Sequence, residues 1–133
     1  MEDHLRLGRA PAGRARALHG RRRREVRVCA SSDAPFTEPD WRQGVAAMML
    51  RASKASGRPS GPEQCVALAD ALRAYTSTAA WQDFADDFKG TLAPGRAADL
   101  CVLDRPLLDL DPHEITQVRV DLTVFDGRGV FER

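Results

Sequence analysis

Hydrophobic and polar residues alternate one by one near the end of the chain, which is the pattern of a strand with one buried face. The apolar positions are Val118, Val120, Leu122 and Val124, and they are separated by Arg119, Asp121, Thr123 and Phe125. Asp126-Gly127 favours a type I′ turn, so Gly129–Glu132 is expected to return as the hairpin partner. With another strand predicted at Ala98–Leu103, three strands close the chain.

Helical periodicity dominates the middle of the chain. Trp41–Ala52 is predicted to be a helix with Asp40 as its N-cap. Its predicted core-facing residues are Val45, Met48 and Met49. A second helix is predicted to begin with Pro62 at its first position. Its apolar positions are Cys65, Leu68, Ala69, Leu72 and Tyr75. A third, short helix is expected at Ala79–Phe88.

Turn residues separate these helices from the strands. Lys89-Gly90 is typical of a helix C-terminus, where glycine can adopt the left-handed conformation. Ala93–Arg96 fits a type II turn, because proline presets φ at its second position and glycine supplies the positive φ at its third. Near the other end of the chain, Val26–Cys29 is predicted to be a short strand, and Asp33 would lie at its C-terminal end.

Charge divides the chain unevenly, although its formal net charge is only +1. Residues 1–32 hold nine arginines against three acidic residues, about +6 by count, and residues 33–133 carry about −5. The run Arg21–Arg24 could neutralise phosphates, which makes nucleic-acid binding one hypothesis. No Phe, Tyr or Trp lies in residues 1–32 to stack on bases, which argues against the nucleic-acid hypothesis.

The cysteines and the N-terminal residues indicate the cellular compartment in which the protein is expected. Cys29, Cys65 and Cys101 are an odd number without a CxxC or Cys/His spacing, so neither a disulfide framework nor a structural zinc site is indicated. The first residues lack the apolar segment of a signal peptide, and no run approaches the length of a membrane span. We therefore predict a cytoplasmic protein without membrane attachment.

Six segments carry a family resemblance, and they occur in that family's order and spacing. They are SSDAP (31–35), GPEQ (61–64), LADALRAYT (68–76), AAWQDF (79–84), GTLAPGRAADLCVLD (90–104) and TVFDGRGVFER (123–133). Residues 26–133 thus resemble the C-terminal end of the amidohydrolase superfamily, the metal-dependent hydrolases that include dihydroorotase. The closest likeness is to the branch of N-substituted formamide deformylase.

The resemblance implies an incomplete α/β fold, namely the end of a (β/α)8 barrel followed by part of a small β-sandwich domain. The implied division is an arginine-rich, weakly ordered lead at 1–25, the last barrel strand and C-terminal helices at 26–89, and half of a composite β-domain at 90–133. Gly129 stands where the family pattern leads us to expect a β-branched residue. Strands left without partners favour self-association and low stability.

The resemblance also assigns a role to Asp33. From the residues alone, an Asp shortly before a proline is typical of a turn. The family, however, places a metal-binding aspartate at the end of its eighth barrel strand, and Asp33 matches it. The role that the resemblance implies for the Asp33 carboxylate is to ligate a divalent metal, usually zinc. It would also take a proton from the metal-bound water that attacks a small amide-type substrate.

The remaining metal ligands of the family have no counterpart in this sequence. The chain contains only His4, His19 and His113, none in a His-x-His pair, and each is predicted to be solvated. One carboxylate does not hold a catalytic zinc. We therefore expect the isolated chain to bind no metal and to be inactive, as the C-terminal segment of a hydrolase of non-peptide carbon–nitrogen bonds. The alternative is a non-catalytic interaction module derived from that family.

Other candidate sites have simpler interpretations. The acidic residues Asp83, Asp86 and Asp87 are predicted to form a solvated face. The aromatic residues Trp41, Tyr75 and Trp81 are predicted to pack in a core or an interface. Ser31 and Ser32 lack a nucleophile elbow, and Gly57–Gly61 lacks the Lys-Ser/Thr of a phosphate loop.

Overall fold

Short helices precede a small antiparallel sheet in the computed structural model, which describes residues 27–53 and 55–133. In chain order, the elements are α1 (Trp41–Leu50), α2 (Leu68–Tyr75), α3 (Ser77–Gln82), β1 (Leu100–Leu103), a 3-10 helix (Ile115–Gln117), β2 (Val120–Phe125) and β3 (Arg128–Glu132). The predictions for the lead at 1–25, including His4, His19 and Arg21–Arg24, lie outside the described residues.

Helix α1 begins and ends through local backbone chemistry. The Asp40 carboxylate accepts a hydrogen bond from the backbone N–H of Arg42, which confirms the predicted N-cap. At the other end, Arg51 adopts the left-handed conformation with φ 50°, and its N–H bonds to the carbonyl of Ala47. The helix therefore stops two residues before the predicted end at Ala52.

The predicted start of the second helix at Pro62 is wrong, because α2 begins at Leu68. Residues 61–65 form a turn, in which the N–H of Gln64 bonds to the carbonyl of Gly61. The N–H of Val66 then bonds to the carbonyl of Met48 in α1 at 3.1 Å. This contact with a distant residue holds the chain out of a helix until Leu68.

The third predicted helix, Ala79–Phe88, is displaced and shortened to α3, Ser77–Gln82. Phe84 takes a positive φ of 56°, so the helix cannot continue to Lys89-Gly90 as predicted. Gly90 does adopt the expected positive φ, at 87°. A Cβ there would lie 2.6 Å from that of Ala80, so close packing on α3 also requires glycine.

The core joins the helices to the segment that leads into β2. Its buried cluster consists of Val45, Ala46, Val66, Ala71 and Ile115, and Trp41, Met48, Met49, Leu68, Leu72 and Tyr75 pack around it. The predicted core face of α1 is confirmed by these contacts. Because Ile115 and Val118 are fully buried, the 3-10 helix is held against the helical part of the molecule.

The sheet has the strand order β1-β2-β3, with both neighbouring pairs antiparallel. Asp126 and Gly127 both have positive φ, at 49° and 74°, which agrees with the predicted type I′ hairpin turn. The predicted turn before β1 also forms, since Gly95 has φ 82° and the N–H of Arg96 bonds to the carbonyl of Ala93. Strands β1 and β2 each begin two residues later than predicted.

Two β-bulges interrupt the sheet. Between β1 and β2 the register skips Asp121, so the extra residue belongs to β2. Between β2 and β3 it skips Val130, so that extra residue belongs to β3. Strand β1 therefore pairs without an inserted residue, whereas β2 and β3 each carry one.

The strand predicted at Val26–Cys29 is not present in the described residues, which start at Arg27 and are irregular up to α1. Its backbone bonds elsewhere: the N–H of Ala30 donates to the carbonyl of Ala74 at 3.1 Å. A strand needs a neighbouring strand, and this segment lies instead against α2 and α3. Among the described residues, no helix is both long enough and apolar enough to cross a membrane.

Candidate functional site

Asp33 lies in an exposed loop between the irregular segment and α1, not at the end of a strand as predicted. Its φ of 57° is in the left-handed region, which aspartate tolerates better than most residues. Its N–H donates to Oγ of Ser31 at 3.2 Å, and its carbonyl accepts from the N–H of Phe36 at 3.0 Å. The backbone is thus fixed locally, and the carboxylate makes no hydrogen bond or ion pair with the described residues.

The chain leading into this loop is anchored on the helices. Besides the bond from Ala30 to Ala74, Sγ of Cys29 donates to the carbonyl of Thr78 at 3.1 Å. The two contacts hold residues 29 and 30 against the junction of α2 and α3. The position of the Asp33 loop is therefore determined by the helical part of the molecule.

An open cleft of about 530 Å³ lies beside this anchored segment. Its walls are residues 28–31, Gly44, Ala47 and Met48 of α1, Arg51, Gln64, Val66 and Tyr75. The volume is within the range of small-molecule sites. Ser31 lines the cleft and accepts the hydrogen bond from Asp33, so the loop that carries Asp33 begins at the cleft wall.

The described residues do not fit a complete metal centre. No group of three or more His, Cys, Asp or Glu side chains comes together within residues 27–53 and 55–133. A catalytic zinc takes three protein ligands and a water. In the part of the chain that the structure describes, Asp33 would supply a single carboxylate to such a centre.

The other ionisable candidates lie apart from Asp33 along the surface. His113 is exposed in a turn, where its backbone N–H donates to Oδ1 of Asp111 at 2.9 Å. Asp83, Asp86 and Asp87 are exposed, as predicted, and Asp83 pairs with Lys89 at 2.8 Å. These side chains have ordinary surface roles.

The aromatic candidates contribute to packing. Trp41 and Tyr75 lie on the core cluster, which confirms the predicted packing role. Burial is the main cause that raises the pKa of Tyr75, and the charge of Asp40 adds to it. Trp81 is 40% exposed, and the guanidinium of Arg27 lies 4.5 Å from its ring centre.

The three cysteines are all free and differ in depth. Cys65 is buried, Cys29 is half-buried and Cys101 is exposed on β1. Partial burial of its sulfur raises the pKa of the Cys101 thiol.

Asp104 is a structural residue that the sequence patterns did not reveal. Its carboxylate accepts from the N–H of Arg119 at 3.0 Å, from Nε of Arg119 at 3.2 Å and from the guanidinium of Arg105 at 3.1 Å. The hydrogen bond from Arg105, followed by that from the Arg119 backbone, holds the pKa of Asp104 well below its usual range. The adjacent residues Asp104 and Arg105 directly after β1 were a sequence signal for a local ion pair. The second partner, Arg119, lies 15 residues from Asp104 along the chain and could not be inferred in this way.

Comparison with known proteins decides the family. The profile of the amidohydrolase family matches residues 3–131. The chain belongs to the amidohydrolase family. The match to this family includes most of the arginine-rich lead, so it extends further than the resemblance over residues 26–133.

Relatives within the amidohydrolases are much longer than this chain. YtcJ of Bacillus subtilis (strain 168), assigned by name to the amidohydrolases, is 30% identical over 111 residues, which are 80% of this chain and 21% of YtcJ. The N-substituted formamide deformylase of Arthrobacter pascens is 32% identical over 108 residues, 81% of this chain and 20% of that protein. The chain thus spans about a fifth of the length of these relatives.

A solved amidohydrolase has a similar fold. The crystal structure of an amidohydrolase from Thermotoga maritima MSB8 superposes with a TM-score of 0.61 and 21% sequence identity. The match covers 88% of this chain and 26% of that protein. The mixed arrangement of helices and a small antiparallel sheet is therefore an amidohydrolase arrangement.

Proposed function

We propose that this chain is the C-terminal segment of an amidohydrolase-type hydrolase that acts on non-peptide carbon–nitrogen bonds, and that it does not turn over substrate alone. The family match over residues 3–131 carries the proposal. The chain covers about a fifth of each relative, so most of the length of those proteins has no counterpart in it. This supports the proposal that the chain alone does not turn over substrate.

Within this proposal, residues 26–89 correspond to the end of a (β/α)8 barrel and residues 90–133 to part of the β-domain. Functional side chains of such barrels lie at the C-terminal ends of strands. The Asp33 loop would occupy that position next to the cleft, with the chain before it anchored by Ala74 and Thr78. In the complete arrangement, Val28–Ala30 would gain the neighbouring strands that the described residues do not provide.

The proposed role of Asp33 follows from the same correspondence. Its carboxylate is exposed and makes no ion pair with the described residues, so it is free to serve as one oxygen ligand of a divalent metal such as zinc. The described residues do not fit the whole metal centre. The other ligands and the substrate contacts would therefore come from sequence comparable to the remaining four fifths of the relatives.

The proposed substrate class is a small molecule with an amide-type carbon–nitrogen bond. The name of the Arthrobacter relative describes a deformylase of N-substituted formamides, which is one member of this class. The three free thiols favour a reducing compartment, so we propose the cytoplasm.

Inactivity of the isolated chain is tested by producing it in zinc-supplemented medium. Bound metal is measured by mass spectrometry, and formate release is measured with a simple N-alkyl formamide. We expect neither stoichiometric zinc nor turnover above the protein-free rate. Stoichiometric zinc together with hydrolysis would contradict the proposal.

The role of Asp33 is tested in a chimera, in which the 108 residues that match the Arthrobacter deformylase replace the corresponding segment of that protein. We expect an active chimera to lose about 100-fold or more in kcat/KM on Asp33→Asn, because a metal ligand and proton acceptor is removed. Asp83→Asn is the matched control, since Asp83 is an exposed carboxylate that pairs with Lys89 on the surface. Equal activity of the Asp33 and Asp83 variants would exclude the proposed role.

A further inference from the structure

The two outer edges of the sheet differ in regularity. The order β1-β2-β3 leaves one edge of β1 and one edge of β3 without a strand partner among the described residues. The β3 edge is interrupted by the inserted Val130, and a bulge of this kind discourages pairing with another strand. Strand β1 carries no inserted residue, so its outer edge is a continuous template.

Hydrogen bonds at the two ends of β1 determine which of its residues face that open edge. The carbonyl of Ala98 accepts from the N–H of Gly127 at 3.2 Å, and the N–H of Asp104 donates to the carbonyl of Arg119 at 3.0 Å. Both even-numbered residues bond towards β2. Since backbone groups alternate sides along a strand, Cys101 and Leu103 direct their N–H and C=O groups outward.

We propose that this edge pairs, antiparallel, with β1 of a second copy of the chain, with Val102 on the two-fold axis. Cys101 then lies opposite Leu103 of the second copy, and the outward amide groups of both strands are satisfied. Val102, which is 45% exposed in one copy, meets its own equivalent as a non-hydrogen-bonded pair. The inference goes beyond the proposed function and does not depend on it.

Charge complementarity selects this register among its neighbours. Asp99 precedes β1 and Arg105 follows it, both are exposed, and this alignment places each opposite the other in the second copy. A shift of two residues in either direction would place Asp99 against Leu103 or Leu107 instead. Arg105 uses Nε and one terminal nitrogen on Asp104, and Oδ1 of Asp99 accepts from the N–H of Asp126 at 2.8 Å. The other terminal nitrogen of Arg105 and Oδ2 of Asp99 are the atoms that pair between the two copies.

Sedimentation velocity of the full 133-residue chain over a range of concentrations provides the first test, and we expect a monomer–dimer equilibrium. Arg105→Asp replaces two opposite-charge pairs with two like-charge pairs, so we expect the dissociation constant to rise about tenfold or more. The double variant Asp99→Arg with Arg105→Asp is expected to restore the dimer. A chain that stays monomeric, or a double variant as weak as Arg105→Asp, would overturn the proposal.

Cross-linking tests the register directly. Residues of a non-hydrogen-bonded antiparallel pair have Cα atoms about 4.5 Å apart, which a disulfide can bridge. In a Cys101→Ser background, Val102→Cys is expected to give a covalent dimer on mild oxidation. Val130→Cys, at the exposed edge strand β3, is the matched control and is expected to stay at the background level. Cross-linking at residue 130 that equals or exceeds that at residue 102 would refute this register.

Discussion

The side chain of Arg42 connects two parts of the chain by donating from a terminal nitrogen to the carbonyl of Val118 at 2.5 Å. Its Nε and its other terminal nitrogen bond to the carboxylate of Asp40 at 2.7 and 3.0 Å. The same carboxylate caps α1. One guanidinium thus links the start of α1 to the segment that enters β2.

Removing this guanidinium should destabilise the whole chain. Arg42→Met keeps the aliphatic stem but leaves the Asp40 carboxylate and the Val118 carbonyl without this donor, which should cost about 1–3 kcal/mol in the free energy of unfolding. Urea denaturation measures the loss. Arg73→Met is the control, because its i,i+3 pair with Asp70 is exposed and should contribute about 0.5 kcal/mol or less. Equal effects of the two substitutions would show that the Val118 contact adds nothing.

Gly44 is expected to respond to substitution opposite to an ordinary helical glycine. At an open helical site, Gly→Ala stabilises by about 1 kcal/mol. Here the new Cβ would lie 1.8 Å from Oη of Tyr75 and 2.8 Å from its Cζ, so the ring must leave its place on the core. Gly44→Ala should therefore lower stability by about 1–3 kcal/mol.

A double-mutant cycle identifies Tyr75 as the cause of that loss. In a Tyr75→Leu background the obstructing ring is absent, so Gly44→Ala should become neutral or stabilising. Thermal denaturation of the four variants gives the coupling energy. The same loss in both backgrounds would mean that the effect has another origin.

Asp104 should make the stability of the sheet depend on pH. Its pKa is lowered in the folded state by Arg105 and Arg119, so its contribution is present above the unfolded value, about pH 4, and is lost as pH falls below it. Asp104→Asn should lower the melting temperature at neutral pH, and the difference from the parent should shrink in acid. Asp109→Asn, in the exposed loop that follows, is the control. A difference that stays constant from neutral pH into acid would contradict this assignment.

Gly129 is a place where the chain can be made more stable. A Cβ there would lie 3.7 Å from Cδ1 of Leu122, which is an ordinary contact, and the residue lies inside β3. Gly129→Thr should therefore raise stability by about 0.5–1 kcal/mol, because glycine loses the most conformational freedom in a strand. In the same hairpin, Gly127→Thr should lower it by about 1–2 kcal/mol, since φ there is 74°. Chemical denaturation of both variants should give opposite signs.

Elements that depend on nearby residues were predictable from the sequence. The hairpin of β2 and β3 follows from strict alternation and an Asp-Gly turn, and the N-cap of α1 lies two residues from the N–H that it binds. The start of α2 was not predictable in this way. It depends on the bond from Val66 to Met48, a contact over 18 residues of sequence.

The candidate site shows the same limit. Asp33 was identified by a family motif, and the motif does not specify the local turn with Ser31 and Phe36 in which the structure places it. The strand expected before it requires neighbouring strands, and the described residues bond to α2 and α3 instead. The metal-binding role of Asp33 therefore stays a prediction.

The three native cysteines differ in burial, so local opening of the structure can be measured without introducing a further cysteine. With a maleimide at about pH 8.5, chosen because the Cys101 thiol ionises late, Cys101 should react first, Cys29 next and Cys65 last. Because Cys65 is covered in the folded chain, its modification rate reports how often the segment between α1 and α2 opens. If two copies associate at the outer edge of β1, Cys101 should react more slowly as the protein concentration rises. Time courses at several concentrations therefore separate internal motion, reported by Cys65, from assembly, reported by Cys101.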